Sequence, residues 1–229
     1  MKRLSFAFAL LVMMAVPAFA AGGGVAPYVE AKLGGSYTQI DSIKNTSPVA
    51  VPAPVNKTSV DDVIGVAGLA VGLNLKNLGV PVRVEVDYAY RSNMDYNPNP
   101  TFIGAAIPTS LKSTMDSQTL FANVYYDIET GTAFTPYVGG GLGMSWNHTK
   151  STGTILATGV EGAAMRQTAN NFAWNIGAGC AYDLTANWKL NAGYRYVDLG
   201  KVTWGDSSTS MSSTDITSHE VLLGLRYQF

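Results

Sequence analysis

Val82-Arg83-Val84-Glu85-Val86-Asp87-Tyr88-Ala89-Tyr90-Arg91 alternates without a break. Val82, Val84, Val86, Tyr88 and Tyr90 share one side, while Arg83, Glu85, Asp87, Ala89 and Arg91 share the other. A period of two is the signature of a strand with one apolar and one polar face. The same period recurs near residues 27–37, 63–75, 118–127, 136–147, 172–183, 187–197 and 218–229, so the chain is expected to be all-β with eight strands.

The connections between these segments alternate in length. Residues 76–80, 128–135 and 184–187 are short, whereas 38–62, 92–117, 148–171 and 198–217 are long and rich in Ser, Thr, Asn, Pro and Gly. Tight turns at one end and long loops at the other predict an antiparallel up-and-down meander. Closed on itself, it is a transmembrane β-barrel, and eight is an even count of the kind bacterial barrels use. The termini then lie at the turn end, which is periplasmic, and the long loops are extracellular.

The N-terminus agrees with export. Lys2 and Arg3 precede an apolar run from Leu4 to Val16 and the sequence Pro17-Ala18-Phe19-Ala20. That order is a secretory signal peptide over residues 1–20, with cleavage after Ala20. Residues 21–229 then form the mature barrel, with 13 basic and 16 acidic residues and a formal charge of −3. This balance excludes a nucleic-acid partner, which would need a basic surface. Only 14% of residues are charged, and no mature segment reaches 18 continuous apolar residues. A helical membrane protein is therefore not expected, and a closed barrel is the remaining way to span lipid. Cys180 is the single cysteine and has no partner for a disulfide.

A soluble eight-stranded barrel would show the same alternation, so the direction of each face must be decided. The apolar face carries no charged residue: Val84, Val86, Leu120, Val124, Leu142, Ile176, Leu190, Leu223 and Leu225 are typical. The opposite face carries rows of small residues, Gly68-x-Ala70-x-Gly72, Gly139-x-Gly141-x-Gly143 and Gly177-x-Gly179-x-Ala181. In a narrow lumen small residues leave space for long ones across from them. The long ones are Glu30, Lys32, Arg83, Glu85, Asp87, Arg91, Lys189, Arg195, Glu220 and Arg226, joined near the turn end by Asp127 and Asp183. The polar face is therefore expected inward, as a lumen ion network with Arg195 opposite Glu220 and Arg226 near Glu30.

Aromatic residues collect at the strand ends. Tyr37, Tyr88, Tyr90, Trp146, Phe172 and Tyr196 fall at the loop end, and Tyr126, Tyr182, Trp188 and Tyr227 at the turn end. Two such bands are the aromatic girdles of the lipid–water interfaces. Phe229 closes the last amphipathic segment and is expected to serve as an assembly signal for the barrel-insertion machinery.

Four segments carry a family likeness: Phe134–Gly143, Gly177–Leu184, Gly193–Gly200 and Gly224–Phe229. They resemble strands of small outer-membrane β-barrels of the opacity-protein, or surface-antigen, type, and more distantly the barrel domain of outer-membrane protein A. The resemblance implies a β-barrel in the outer membrane of a Gram-negative bacterium, in contact with lipid and lipopolysaccharide. It covers the strands and leaves the loops undecoded.

Function divides between two readings. Paired charges that fill the lumen make a plug, which leaves a structural or adhesive role to loops that meet a host or surface ligand. Pairs that exchange partners would instead gate a narrow pore or small-molecule conduit. Loop segments Pro48–Val55 and Thr101–Pro108 are apolar. They either bind a partner or pack over the barrel mouth. Catalysis, as in lipid A-modifying barrels, is a remote alternative. His148 and His219 are the only histidines, and Ser218, His219 and Glu220 alternate between faces, so they do not form one site. A monomeric non-enzyme without metal or cofactor is expected.

Overall fold

Each long amphipathic segment pairs with its neighbours and the last pairs with the first, which closes the wall. In the computed structural model, which describes residues 24–41, 44–45, 59–96, 101–103, 107–155, 158–162, 164–204 and 211–229, eight strands build it. They are β1 (Ala26–Asp41), β2 (Ser59–Asn74), β3 (Val82–Tyr96), β4 (Ile107–Asp127), β5 (Phe134–Ile155), β6 (Met165–Asp183), β7 (Trp188–Trp204) and β8 (Met211–Gln228). Every pairing is antiparallel and sequential, and β8 closes on β1 from Tyr28↔Gln228 to Asp41↔Asp215. The signal segment 1–20 and the apolar stretch 48–55 lie outside the described residues.

The turns at the closed end are short because glycine supplies the reversal twice. A 3-10 turn at Lys76–Leu78 ends on Gly79 at φ 78°, and the β4–β5 turn contains Gly131 at φ 70°. Both conformations are ones that L side chains rarely adopt.

At the other end the strands run on into the segments expected as loops. β4 begins at Ile107 rather than near residue 118, and β5 continues to Ile155, with pairing as far as Thr109↔Ile155. The apolar–polar alternation stops near the loop-end aromatic residues, but ladder hydrogen bonds need no apolar face. Threonine, β-branched and frequent here, favours extended backbone. The short strands Lys44–Asn45, Thr101–Ile103 and Val160–Glu161 prolong this upper sheet.

Two seams divide the upper wall. The β2–β3 register ends at Val66↔Arg91, and the β6–β7 register ends at Trp174↔Asp198. Above those points β2 stays with β1, β3 with β4, β6 with β5 and β7 with β8. The upper sheet is thus two four-stranded walls, β3 to β6 and β7 through β8 and β1 to β2.

The apolar face points outward. Leu33, Val124, Leu142, Ile176, Val221 and Leu223 are all more than half exposed. In water this would be an anomalous surface; facing hydrocarbon it is the expected one.

Candidate functional site

The lumen of the barrel holds the charged side chains. Glu30 and Lys32 come from β1, Arg83, Glu85, Asp87 and Arg91 from β3, Arg195 from β7, and Glu220 and Arg226 from β8, and all are buried. Alternation alone puts them inside, since each shares parity with its strand's other inward residues.

Six of them form one chain of ion pairs across the barrel. Arg91 Nε donates to Glu220 Oε1 at 2.5 Å, and Arg195 Nε to Glu220 Oε2 at 2.6 Å. Arg195 Nη1 reaches Asp87 Oδ1 at 3.0 Å, Lys32 Nζ reaches Asp87 Oδ2 at 2.7 Å, and Lys32 also reaches Glu85 Oε1 at 2.6 Å. Three bases and three acids alternate, so the chain is neutral. Two further pairs, Arg226–Glu30 at 2.9 Å and Arg83–Asp127 at 2.8 Å, occupy the turn end. Arg195 stands opposite Glu220 in register, and Glu30 opposite Arg226. Lys189 pairs with Asp183 in a half-buried position at the rim rather than joining the main chain.

Three lumen tyrosines are absent from the sequence-based set: Tyr28, Tyr125 and Tyr137. The Arg83 guanidinium lies 4.9 Å from the centroids of both Tyr125 and Tyr137, and that of Arg226 lies 4.7 Å from Tyr28. Such cation–ring contacts strengthen when water is excluded. The tyrosine hydroxyls also serve the network, Tyr28 donating to Glu85 Oε2 at 3.0 Å. The signal was available, because Tyr28 shares parity with Glu30, and Tyr137 with the Gly139 row.

The small residues make this packing possible. A Cβ on Gly179 would meet the Tyr137 hydroxyl at 2.5 Å, and one on Gly224 would collide with the Glu30 carboxylate. One cavity, of about 40 Å³, lies among Glu30, Lys32, Arg83, Glu85, Asn191 and Arg226. That is room for a few waters.

Above the charges the lumen holds an apolar cluster among buried polar side chains such as Thr119, Asn147 and Thr149. Ile64, Met94, Met115, Phe121, Ala173, Val197, Leu199 and Ile216 form one buried cluster. Hydroxyls of Ser36, Thr38 and Ser218 bond to one another beside it. The Leu199 carbonyl accepts from Ser145 Oγ at 2.6 Å and from Asn147 Nδ2 at 3.3 Å, drawing β7 toward β5. The expectation that the polar face points inward does not extend to this cluster, whose apolar side chains also point inward. A file of ions would have to cross the salt-bridged layer and pass this cluster.

On the outside, the aromatic side chains stand in two bands. At the turn end Trp188 and Tyr227 lie 4.9 Å apart, Tyr227 and Phe229 5.0 Å, and Phe134 and Tyr182 4.8 Å, with Tyr126 exposed nearby. At the loop end Trp174 and Tyr196 are 5.5 Å apart, and Tyr196 packs edge-on to His219 at 5.3 Å. Tyr37 also faces His219, Tyr88 donates to Gln118 at 3.0 Å, and Tyr90 and Phe172 are exposed, with Trp146 half-buried between them.

Neither histidine bonds a serine or cysteine side chain among the described residues. His219 points outward with Nδ1 2.7 Å from the Tyr194 hydroxyl, while Ser218 points inward to Ser36 and Thr38. His148 lies 3.4 Å from Asp116, also on the outer face. No group of three metal-ligating side chains occurs among the described residues.

Comparison with known proteins adds a lineage to this geometry. A family model described as the outer membrane protein beta-barrel domain matches residues 6–229. Outer membrane protein PagN of Salmonella typhimurium is 30% identical over 215 residues, covering 88% of this chain and 89% of that protein. Opacity protein opA60 of Neisseria gonorrhoeae is 25% identical over 253 residues, covering 90% of this chain and 98% of that protein. A crystal structure of a major outer membrane protein from Thermus thermophilus superposes with a TM-score of 0.51 at 15% identity, over 90% of this chain and 99% of that one. That last likeness is one of fold.

Proposed function

The chain belongs to the outer-membrane β-barrel family, and on that premise we propose that it is a plugged, non-catalytic surface protein whose loop end meets the outside. The observation that carries this reading is the filled lumen: a neutral chain of buried ion pairs capped by a buried apolar cluster. A plugged barrel is a rigid mount, and loops on rigid mounts are where recognition resides. The contact made is structural or adhesive, with a host or surface ligand as partner.

Several features accompany this role. Residues 1–20 act as a signal peptide, the mature chain is monomeric, and its termini are periplasmic. Phe229 is read by the barrel-assembly machinery, and the outer wall sits in lipid and lipopolysaccharide. A tag inserted between residues 205 and 210 is then accessible to antibody on intact cells, while a tag at Gly131 is not. Trimming residues 42–58 and 97–104 abolishes cell or matrix binding if the loops are adhesive. An unchanged lipid A profile on overproduction agrees with the absence of catalysis.

The rival reading is a narrow conduit, favoured by the small cavity beside shared ion pairs. Planar-bilayer recording separates the two. A plug gives conductance equal to bare bilayer. A steady current that changes with Glu85→Gln and Arg226→Gln establishes the conduit instead.

A further inference from the structure

Eleven Lys and Arg side chains are described, and eight have a carboxylate within ion-pair distance. Even those on the surface are matched, Lys76 by Glu129 and Lys201 by Asp215. The three without a described carboxylate partner are Lys112, Lys150 and Arg166, and they are neighbours. Lys150 on β5 stands directly opposite Arg166 on β6. Lys112 on β4 pairs with Thr152, which places it diagonally beside Lys150. All three are exposed.

Their height and direction are equally specific. Lys150 shares outward parity with Trp146, four residues nearer the membrane, and Arg166 shares it with Phe172. Four residues of strand rise about 13 Å, or roughly 9 Å along the membrane normal at a tilt of about 45°. Interfacial aromatics sit at headgroup level. The cations therefore stand just above it on the lipid-facing side, where the phosphoryl groups of outer-leaflet lipid lie. Asp116, the nearest acid in the next row, lies 3.4 Å from His148 Nδ1.

Two like charges placed directly opposite on an antiparallel ladder repel each other. An anion between them converts that repulsion into two charge-assisted contacts, and a phosphoryl oxygen pair suits the Arg fork. We propose that Lys112, Lys150 and Arg166 form a site for the phosphoryl group of a glycolipid headgroup in the outer leaflet. The proposal rests on the orientation given above, with the loop end outside. Tag accessibility tests that orientation alone, so its failure is distinguishable from failure of the site.

The experiment uses the mature chain refolded into phosphatidylcholine bilayers and titrated with bisphosphorylated lipid A. Binding weakens about fivefold per removed charge, and on the order of a hundredfold in the Lys112→Gln/Lys150→Gln/Arg166→Gln variant. Phosphate-free lipid A binds the parent no better than it binds that variant. Lys150→Glu supplies the second arm: it faces Arg166 in register, so it stabilises the barrel in phosphatidylcholine while losing lipid A affinity. Undiminished lipid A binding by either variant overturns the site. So does equal binding of phosphate-free lipid A, or competition by millimolar inorganic phosphate as strong as by the lipid, which would assign a soluble anion. Binding of a sulfated polysaccharide lost by the same substitutions, with lipid A binding intact, also overturns it.

Discussion

Replacing Glu220 with Gln tests whether the lumen is dry. Glu220 is fully buried and accepts from Arg91 at 2.5 Å and from Arg195 at 2.6 Å. The substitution keeps the side chain's volume, removes its charge and leaves two guanidinium groups facing an amide. Arg195 retains Asp87 at 3.0 Å, but Arg91 retains only the Thr119 hydroxyl at 3.1 Å. Removing one member of a buried pair costs about 3–5 kcal/mol, because an uncompensated charge stays in a medium that solvates it poorly. Were the lumen an open aqueous path, Arg91 would be hydrated and the loss would fall to about 0–1 kcal/mol, as for an exposed pair. At the midpoints of these ranges the two cases differ by more than a hundredfold in the folding equilibrium. Reversible urea unfolding in lipid vesicles, followed by the slower gel mobility of unfolded chain, measures this directly. Adding Arg91→Met to Glu220→Gln removes the orphaned charge and should recover at least half of the loss. A Glu220→Gln barrel within about 1 kcal/mol of the parent would refute the dry-plug argument and favour the conduit.

Three further outcomes follow from the packing. Gly224→Ala forces a Cβ into the Glu30 carboxylate and should destabilise by about 1–3 kcal/mol, measured by the same unfolding assay. Leu223 lies on the outward face midway between Tyr227 and His219, so Leu223→Arg should cost about 2–4 kcal/mol in bilayers, while the neighbouring rim substitution Trp188→Arg costs less. Leu199→Ala opens the apolar cap and should lower stability by about 2–5 kcal/mol without producing conductance, since the ion-paired layer beneath still blocks the lumen.

Strand β3 shows how much was legible in the sequence. Its alternation from Val82 to Arg91 marked both faces, and the glycine rows on β5 and β6 marked the direction in which the charged face points. Because β-pairing has a period of two, one correct parity assigns every residue of a strand. Hence Arg195 and Glu220, separated by the length of one loop, could be placed across from each other. The tyrosines of the lumen escape a sequence reading for a chemical reason rather than a geometric one. Their parity is inward, but an aromatic residue near a strand end also fits a girdle.

The upper third of the barrel resists sequence reading for a different reason. Below the loop-end aromatic side chains the outside is hydrocarbon, so an apolar residue signals outward. Above them the outside is water and that rule inverts: Val197, Leu199 and Ile216 point inward there. An irregularity between Arg91 and Met94 resets the parity of β3, and Gly200 at φ 76° breaks that of β7. The ends of the β2–β3 and β6–β7 ladders occur beside these two irregularities, at Val66↔Arg91 and Trp174↔Asp198. Local sequence marks neither, because each depends on which strand lies alongside. The same holds for the cations beyond the loop-end aromatic side chains. Lys112, Lys150 and Arg166 fall in segments whose composition reads as loop, and nothing near them in sequence sets their spacing. Their adjacency exists only once β4, β5 and β6 continue their pairing beyond the membrane, and that continuation is what turns three scattered charges into a candidate site.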